Sequence, residues 1–390
     1  AKVSSMDFSL SPEHQALKDM SRRFVETEFL REKILQWVRD KVEPPRETFL
    51  KLGELGVFGF LLPPEYSGLE KVDPTGMVVF VEELSRASSA LSTHYGRAAV
   101  IVGPQIARFG SQEQKDLVLP KVVRGEVQLA LCLTETAAGS DAAAITTRAE
   151  EQADGSYLIN GTKMFNSQLE SAGFAVIAAR TDPDTPKHEG ITLFLVENPG
   201  QRPEIEYHRI ETLGMAMIPT YSIAFNDLHV PADAIIGGRG NGWQGLLGGL
   251  DNERFYHGAI GVGAAQGIID MVLEYVNQRI AFGRPLGRLQ AVRHKLVDMQ
   301  MAVDSARLLT YRAAWKLENQ GSCHREASMA KVAGAEAYMM VSHQGLQLMG
   351  GFGYSVESGL PMHFADAKLF EIGGGAMEVQ RNIIAKEMGL

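Results

Sequence analysis

The stretch FAVIAARTDPDTPKHEGITLFLV, Phe174–Val196, decides the fold. It holds two short apolar runs, Phe174–Ala179 and Ile191–Val196, bounded by Asp, Pro and Gly. Runs of that length between such breakers read as strands. SYLIN, Ser156–Asn160, reads as another strand, entering a turn at Gly161. Tyr221–Phe225 alternates weakly and stops at Asn226 and Asp227. Short strands with no helix between them predict an antiparallel sheet or small barrel.

On either side the pattern changes to helix. Ser11 can cap a helix whose apolar positions include Leu17, Met20 and Phe24. Further helical stretches are expected near Thr48–Leu55 and Val78–Leu84, and LLPPEYSG, with Pro63 and Pro64, reads as a loop. From about Asn241 the chain is helical again, with Leu296, Met299, Val303 and Leu308 near one face. Gly350, Gly351 and Gly353 interrupt the last long helices. The expected class is α+β: an N-terminal helical domain (1–127), a middle antiparallel β domain (128–238) and a C-terminal helical bundle (239–390). Helices, then strands, then helices is not the alternating order of a Rossmann fold.

The length of 390 residues exceeds what one compact core holds, and 45% hydrophobic with 22% charged residues is ordinary for a globular chain. A net charge of −9 argues against nucleic acid as a partner, since phosphate backbones need a basic face. Two cysteines, Cys132 and Cys323, build no disulfide framework and point to a reducing compartment. No uninterrupted apolar run of membrane-spanning length stands out, so no membrane insertion is expected. The first residues resemble neither a secretory signal nor a transit peptide, and Met6 could be the natural start. The cytoplasm is favoured, with a mitochondrial matrix open.

Some motifs are decoys. GVGAAQG, Gly261–Gly267, is one residue off GxGxxG and lies inside a helical run, where close helix packing explains it better than a nucleotide. Cys132, in LALCLTE, reads as a small buried hydrophobe. Ten histidines without HExxH or a tight pair predict no metal. His257, four residues after Glu253, reads as a surface or satisfied histidine.

Four segments together fit a flavin site. LCLTETAAGSD, Leu131–Asp141, offers hydroxyls and free backbone N–H groups in a turn, or else a plain Gly/Ser turn. NGTKMFNS, Asn160–Ser167, sets the aromatic Phe165 two residues before a hydroxyl, or is an ordinary turn with a core Phe. NQRIAFGRPLGRLQ, Asn277–Gln290, carries Arg279 for a pyrophosphate and Phe282 for stacking, or is a solvated basic helix end. QLMGGFGY, Gln347–Tyr354, permits close backbone approach, or is a helix cap.

In this order, and with LGM, FNDLHVPADAIIG and DAKLFEIGGGAMEVQRNIIAK between and after them, the segments resemble the acyl-CoA dehydrogenase family across nearly the whole chain. The resemblance implies FAD, an acyl-CoA substrate, an electron-transferring flavoprotein as redox partner and a homo-oligomer, usually a tetramer, with FAD contacting two subunits. It implies that Leu131, Leu133, Thr134 and Ser140 line the flavin, Ser140 also touching the thioester. Phe165 and Ser167 would flank the ring, where the family more often has Trp and Thr. Arg279, Phe282 and Gln290 would hold the ADP half. Gln347, Gly350 and Gly351 would complete that pocket from a neighbouring subunit, and Ala376, in place of the usual Thr, and Glu378 stand at cofactor positions.

The chemistry needs a base for the α proton and a polarised thioester carbonyl. Most of the family carries the base in a YEGT stretch. Here that stretch is GGGA, Gly373–Ala376, and Gly374 has no side chain to accept a proton. A subset resembling isovaleryl-CoA and long-chain acyl-CoA dehydrogenases carries the base in an LDLER motif instead. LDNER, Leu250–Arg254, matches, so the resemblance makes Glu253 the base and places Asp251 and Arg254 beside the substrate. Glu371 and Glu378 are lesser candidates. Two glycines at 373 and 374 also remove bulk near the substrate, which suggests a branched or bulky acyl chain. The rival readings are an enoyl-CoA reductase, a flavin monooxygenase on the same fold, and a non-catalytic acyl-CoA-binding scaffold.

Overall fold

The computed structural model describes residues 8–390. Met6 and the question of the natural start lie outside the described residues. The described residues open with eight α-helices: α1 Pro12–Glu28, α2 Arg31–Asp40, α3 Arg46–Glu54, α4 Pro64–Ser67, α5 Pro74–Ala87, α6 Ser89–Gly96, α7 Gly103–Phe109 and α8 Gln112–Val123. Their starts follow from local chemistry. The Ser11 side chain accepts from the His14 N–H, Asp73 accepts from the Gly76 N–H, and Ser111 and Gln114 form a reciprocal capping box. LLPPEYSG differs from expectation, because Pro64 sits at the first helical position of α4, where its missing N–H costs nothing. Between α6 and α7 the chain makes a π-helical turn, Arg97–Val102.

Eight strands follow: β1 Leu129–Cys132, β2 Arg148–Glu151, β3 Tyr157–Ser167, β4 Phe174–Arg180, β5 Ile191–Glu197, β6 Ile205–Arg209, β7 Thr220–Val230 and β8 Ile235–Ile236. They form one sheet in the order β6-β7-β3-β2-β4-β5-β8, with β1 added on β4. Most pairs are antiparallel, and β4 meets β1 and β2 in parallel. The apolar run of β4 is continuous because both its faces are buried. Phe174, Val176 and Ala178 join the core shared with the helices, whereas Ala175, Ile177 and Ala179 join a second core within the sheet. β3 does not turn at Gly161 but runs on to Ser167. The register shifts there, with φ 143° at Gly161, and an added Cβ would meet the Thr147 Cα at 2.7 Å. Gly161 is therefore a bulge glycine.

Five helices complete the chain: α9 Gly242–Gln278, α10 Gln290–Gln320, α11 His324–Tyr354, α12 Leu360–Ile372 and α13 Met377–Glu387. By length and composition α9 could cross a membrane, contrary to the expectation of no such stretch, but most of that apolar window is buried in protein. The GVGAAQG glycines serve packing. A Cβ at Gly261 would lie 2.3 Å from the Gly334 carbonyl oxygen on α11, and one at Gly263 would lie 2.2 Å from that of Glu82 on α5. Leu296, Met299 and Val303 are buried on α10, but Leu308 is exposed, off that face.

Candidate active site

β1 sets one wall. Its Ala130 and Cys132 point into the sheet core, so by strand alternation Leu131 and Leu133 turn towards the helices, where both are half-buried. Burial pushes the Cys132 thiol up to about 12, as befits a packed hydrophobe. The turn after β1 is locked by an ion pair between two residues of the quoted motifs, Glu135 and Lys163, at 2.9 Å and both buried. Glu135 also accepts from the backbone N–H and hydroxyl groups of Thr146 and Thr147. Burial alone would raise the Glu135 carboxyl, but Lys163 and these donors hold it at about 2. Lys163 also donates to the Leu133 carbonyl, and the Met164 N–H donates to that of Thr134. The first two motifs thus form one unit, with Thr134 half-buried and Ser140 exposed.

A second register shift in β3, between Lys163 and Asn166, re-aims Phe165. Phe165 has φ 60° and is 63% exposed, an unusual backbone state and an unusual place for a large aromatic. Ser167, two residues on, is half-buried.

The third and fourth motifs meet elsewhere. Arg279, Leu286, Met349, Gly350, Gly351 and Phe352 line one open groove. Gly350 breaks α11 with φ 58° and ψ −137°. Arg279, Gln347 and Gln290 are exposed, and Phe282, with φ 53°, is 88% exposed at the tip of a two-stranded hairpin. The Arg279 guanidinium has no carboxylate partner among the described residues.

The region around Gly374 gathers buried ionisable groups. A Cβ placed on Gly374 (φ 64°) would lie 3.5 Å from Glu253 Oε1 and 2.6 Å from His257 Nδ1. Glu253, on α9, therefore reaches the space that a side chain at 374 would fill. Burial raises its carboxyl above the usual range, opposed by the charges of Arg97, Arg254 and Lys331. Glu371 pairs instead with Lys368 at 2.5 Å, and Glu378 is exposed in the first turn of α13. Asp251 and Arg254 pair with each other at 2.8 Å, and His324 adds a second partner for Asp251. Ala376 is the N-cap residue of α13 and gives it no side-chain cap.

His257 is neither at the surface nor satisfied. It is buried, its Nδ1 has no partner, and it stacks edge-on to Phe370 at 5.3 Å. Burial, with Lys331 and Arg97 nearby, pushes it down to about 3, so the ring is neutral. Lys331, fully buried, donates to the Gly375 carbonyl at 2.8 Å, and Gln380 donates to those of Gly374 and Gly375. Burial lowers Lys331 to about 8. Sequence reasoning missed Arg97, Lys331 and the Glu135–Lys163 pair; only the last lay inside motifs already quoted. Among the described residues no three His, Cys, Asp or Glu side chains are grouped to hold a metal.

Family models match along almost the whole chain: acyl-CoA dehydrogenase N-terminal domain at residues 11–126, middle domain at 130–228 and C-terminal domain at 240–389. The chain belongs to the acyl-CoA dehydrogenase family. It is 35% identical over 374 residues to the human mitochondrial short-chain specific acyl-CoA dehydrogenase, covering 95% of this chain and 89% of that one. It is 34% identical over 396 residues to an acryloyl-CoA reductase (NADH) of Anaerotignum propionicum, covering 99% and 97%. Butyryl-CoA dehydrogenase from Megasphaera elsdenii superposes with a TM-score of 0.93 at 30% identity, covering 99% and 100%.

The protein is thus a flavin-dependent oxidoreductase, and its cofactor is FAD. The residues fit that group. Two exposed aromatics in strained backbone states, an unpaired arginine and an exposed glycine break suit a planar ring and a pyrophosphate.

Proposed function

We propose that the protein removes two hydrogens from the α and β carbons of an acyl-CoA thioester, with Glu253 taking the α proton. One observation carries this reading: Glu253 Oε1 lies 3.5 Å from where a Cβ of residue 374 would sit. A base delivered from α9 thus comes within contact distance of the position from which a side chain at 374 would project. FAD, when bound, supplies the acceptor for the β hydrogen and its electron pair. The chain supplies the rest. Leu131 and Leu133 wall the flavin side, Ser140 stands near the thioester, and the raised carboxyl of Glu253 suits proton removal from a weak carbon acid.

On this reading the protein resembles the isovaleryl-type subset in its base. Space for a branched acyl chain would lie on the Gly373 side, where the atoms nearest an added Cβ belong to Leu369, at 3.4 Å or more. Beside Gly374 the His257 ring already fills the gap. Arg279, Phe282, Gln290, Gln347, Gly350 and Gly351 would receive the ADP half of a cofactor shared between two copies. Electrons would leave to an electron-transferring flavoprotein. The reverse reaction is the second reading, favoured by the likeness to an acryloyl-CoA reductase; protonated Glu253 would then return the α proton.

Anaerobic titration of the holoprotein with branched and linear acyl-CoAs tests this. Loss of the oxidised flavin absorbance is expected, and Glu253→Gln should abolish it with FAD still bound. Bleaching by Glu253→Gln at the unaltered rate would remove Glu253 from the role. No bleaching by any thioester, with reoxidation of reduced flavin by an enoyl-CoA, would establish the second reading.

A further inference from the structure

Arg97 opens the π-helical turn where α6, β1 and α9 converge. Its charge acts on Glu253, Tyr256 and His257 of α9, on Cys132 of β1 and on His94 of α6. It therefore stands between the strand that walls the flavin side and the helix that carries Glu253. Its Nε is buried without a hydrogen-bond partner, and it forms no ion pair with any carboxylate among the described residues. It is not alone. His257 Nδ1 and Arg254 Nε, both beside Glu253, are also buried and unpartnered.

Three orphaned nitrogens in the neighbourhood of Glu253 do not suit an alkyl chain. A hydrocarbon would leave each unsatisfied, and a buried donor without a partner costs about 1–3 kcal/mol. An acyl chain ending in an acceptor would satisfy the two guanidinium nitrogens, and a carboxylate would also meet in Arg97 a cation that forms no ion pair among the described residues. The backbone just before the arginine is held against α9. Gly96 admits the Tyr256 hydroxyl, which would lie 2.0 Å from a Cβ at 96, and Tyr256 donates to the Ser92 carbonyl. Tyr256 thereby fastens α9 to the end of α6 directly before Arg97.

We propose that Arg97 is a specificity-determining residue that binds an acceptor group, foremost a carboxylate, on the acyl chain, so that the preferred substrate is a dicarboxylic acyl thioester. This deepens the dehydrogenation reading by naming its substrate class. It also refines the branched-chain reading: the group accommodated beyond the reacting carbons is polar.

The test compares matched thioesters whose ends differ only in a carboxylate or an isopropyl group of similar shape: glutaryl-CoA with 5-methylhexanoyl-CoA, and succinyl-CoA with 4-methylpentanoyl-CoA. Binding to the Glu253→Gln holoprotein is measured by calorimetry, which needs no turnover. The carboxylate member of a pair should bind at least tenfold tighter, and Arg97→Met in that background should erase the preference while Arg97→Lys keeps part of it. Equal or tighter binding of both isopropyl members with Arg97 intact overturns the proposal without requiring any Arg97 variant to fold. So does a preference that survives Arg97→Met, or no binding by any of the four. Flavin bleaching separates the two readings: bleaching by the isopropyl members alone keeps dehydrogenation and removes the Arg97 role.

Discussion

At the scale of single residues, the site turns on Gly374. A methyl group there would press on the His257 ring at 2.5 Å, at a φ of 64° that alanine adopts only under strain. Gly374→Ala should lower stability by about 1–3 kcal/mol in urea unfolding. Because His257 lies one helical turn from Glu253, activity should fall roughly tenfold or more. The pH profile should report Glu253 directly. If Glu253 is the base it acts unprotonated, and its carboxyl is raised by burial, so kcat/KM should climb with pH above the ordinary carboxylate range. Arg97 lowers that carboxyl, so Arg97→Met should move the rising limb to higher pH; an unmoved limb would show the two do not interact. Glu253 could be singled out because its motif and the missing side chain at Gly374 are both visible in the sequence. His257 and Arg97 were not. What distinguishes them is burial without a partner, and that arises only when α9, α12 and the π-helical turn are packed together.

Elements show where local reading runs out. The apolar runs of β4 and β5 were plain because burial on both faces leaves a continuous hydrophobic signature. Gly161 misled because a bulge glycine and a turn glycine look alike until the partner strand is known, and Leu308 misled because a long helix drifts off any face fixed over three turns. The glycines of α9 were read correctly as packing sites. Gly263→Ala would force a Cβ within 2.2 Å of the Glu82 carbonyl oxygen and part α9 from α5. A loss of about 1–3 kcal/mol is expected by denaturant unfolding. The Glu135–Lys163 pair ties β3 to the turn after β1. Since Glu135 is held at about 2 when folded, its contribution is complete above its unfolded value near 4.5 and fades as pH falls towards 2. Glu135→Gln should flatten the acid branch of the stability curve over that window, and Lys163→Met, which leaves a buried charge alone, should cost about 3–5 kcal/mol at neutral pH.

For the whole molecule, the order of helices, strands and helices was open to sequence reading, because each block changes its hydrophobic period. Assembly entered only through the family resemblance, since a surface that meets a second copy and a surface facing water draw on the same side chains. Phe282, Tyr354, Val356 and Ile280 are 88%, 85%, 68% and 57% exposed, a large apolar area around the groove that holds Arg279 and Gly350. If that groove receives cofactor across a subunit boundary, Phe282→Asp should reduce both the sedimenting mass and the FAD retained after gel filtration. Retention of both would confine Phe282 to an ordinary hairpin tip.

The π-helical turn of Arg97–Val102 holds one residue more than an α-helix of the same span would need. Each residue of an α-helix advances the rotation by about 100°. Deleting Ala98 would let the turn close as regular helix and swing Arg97 out of the cleft, leaving Gly103–Phe109 where it is. If Arg97 sets the acyl preference as proposed, one lost codon at that point, with every other side chain around Glu253 still encoded, would be enough to change it.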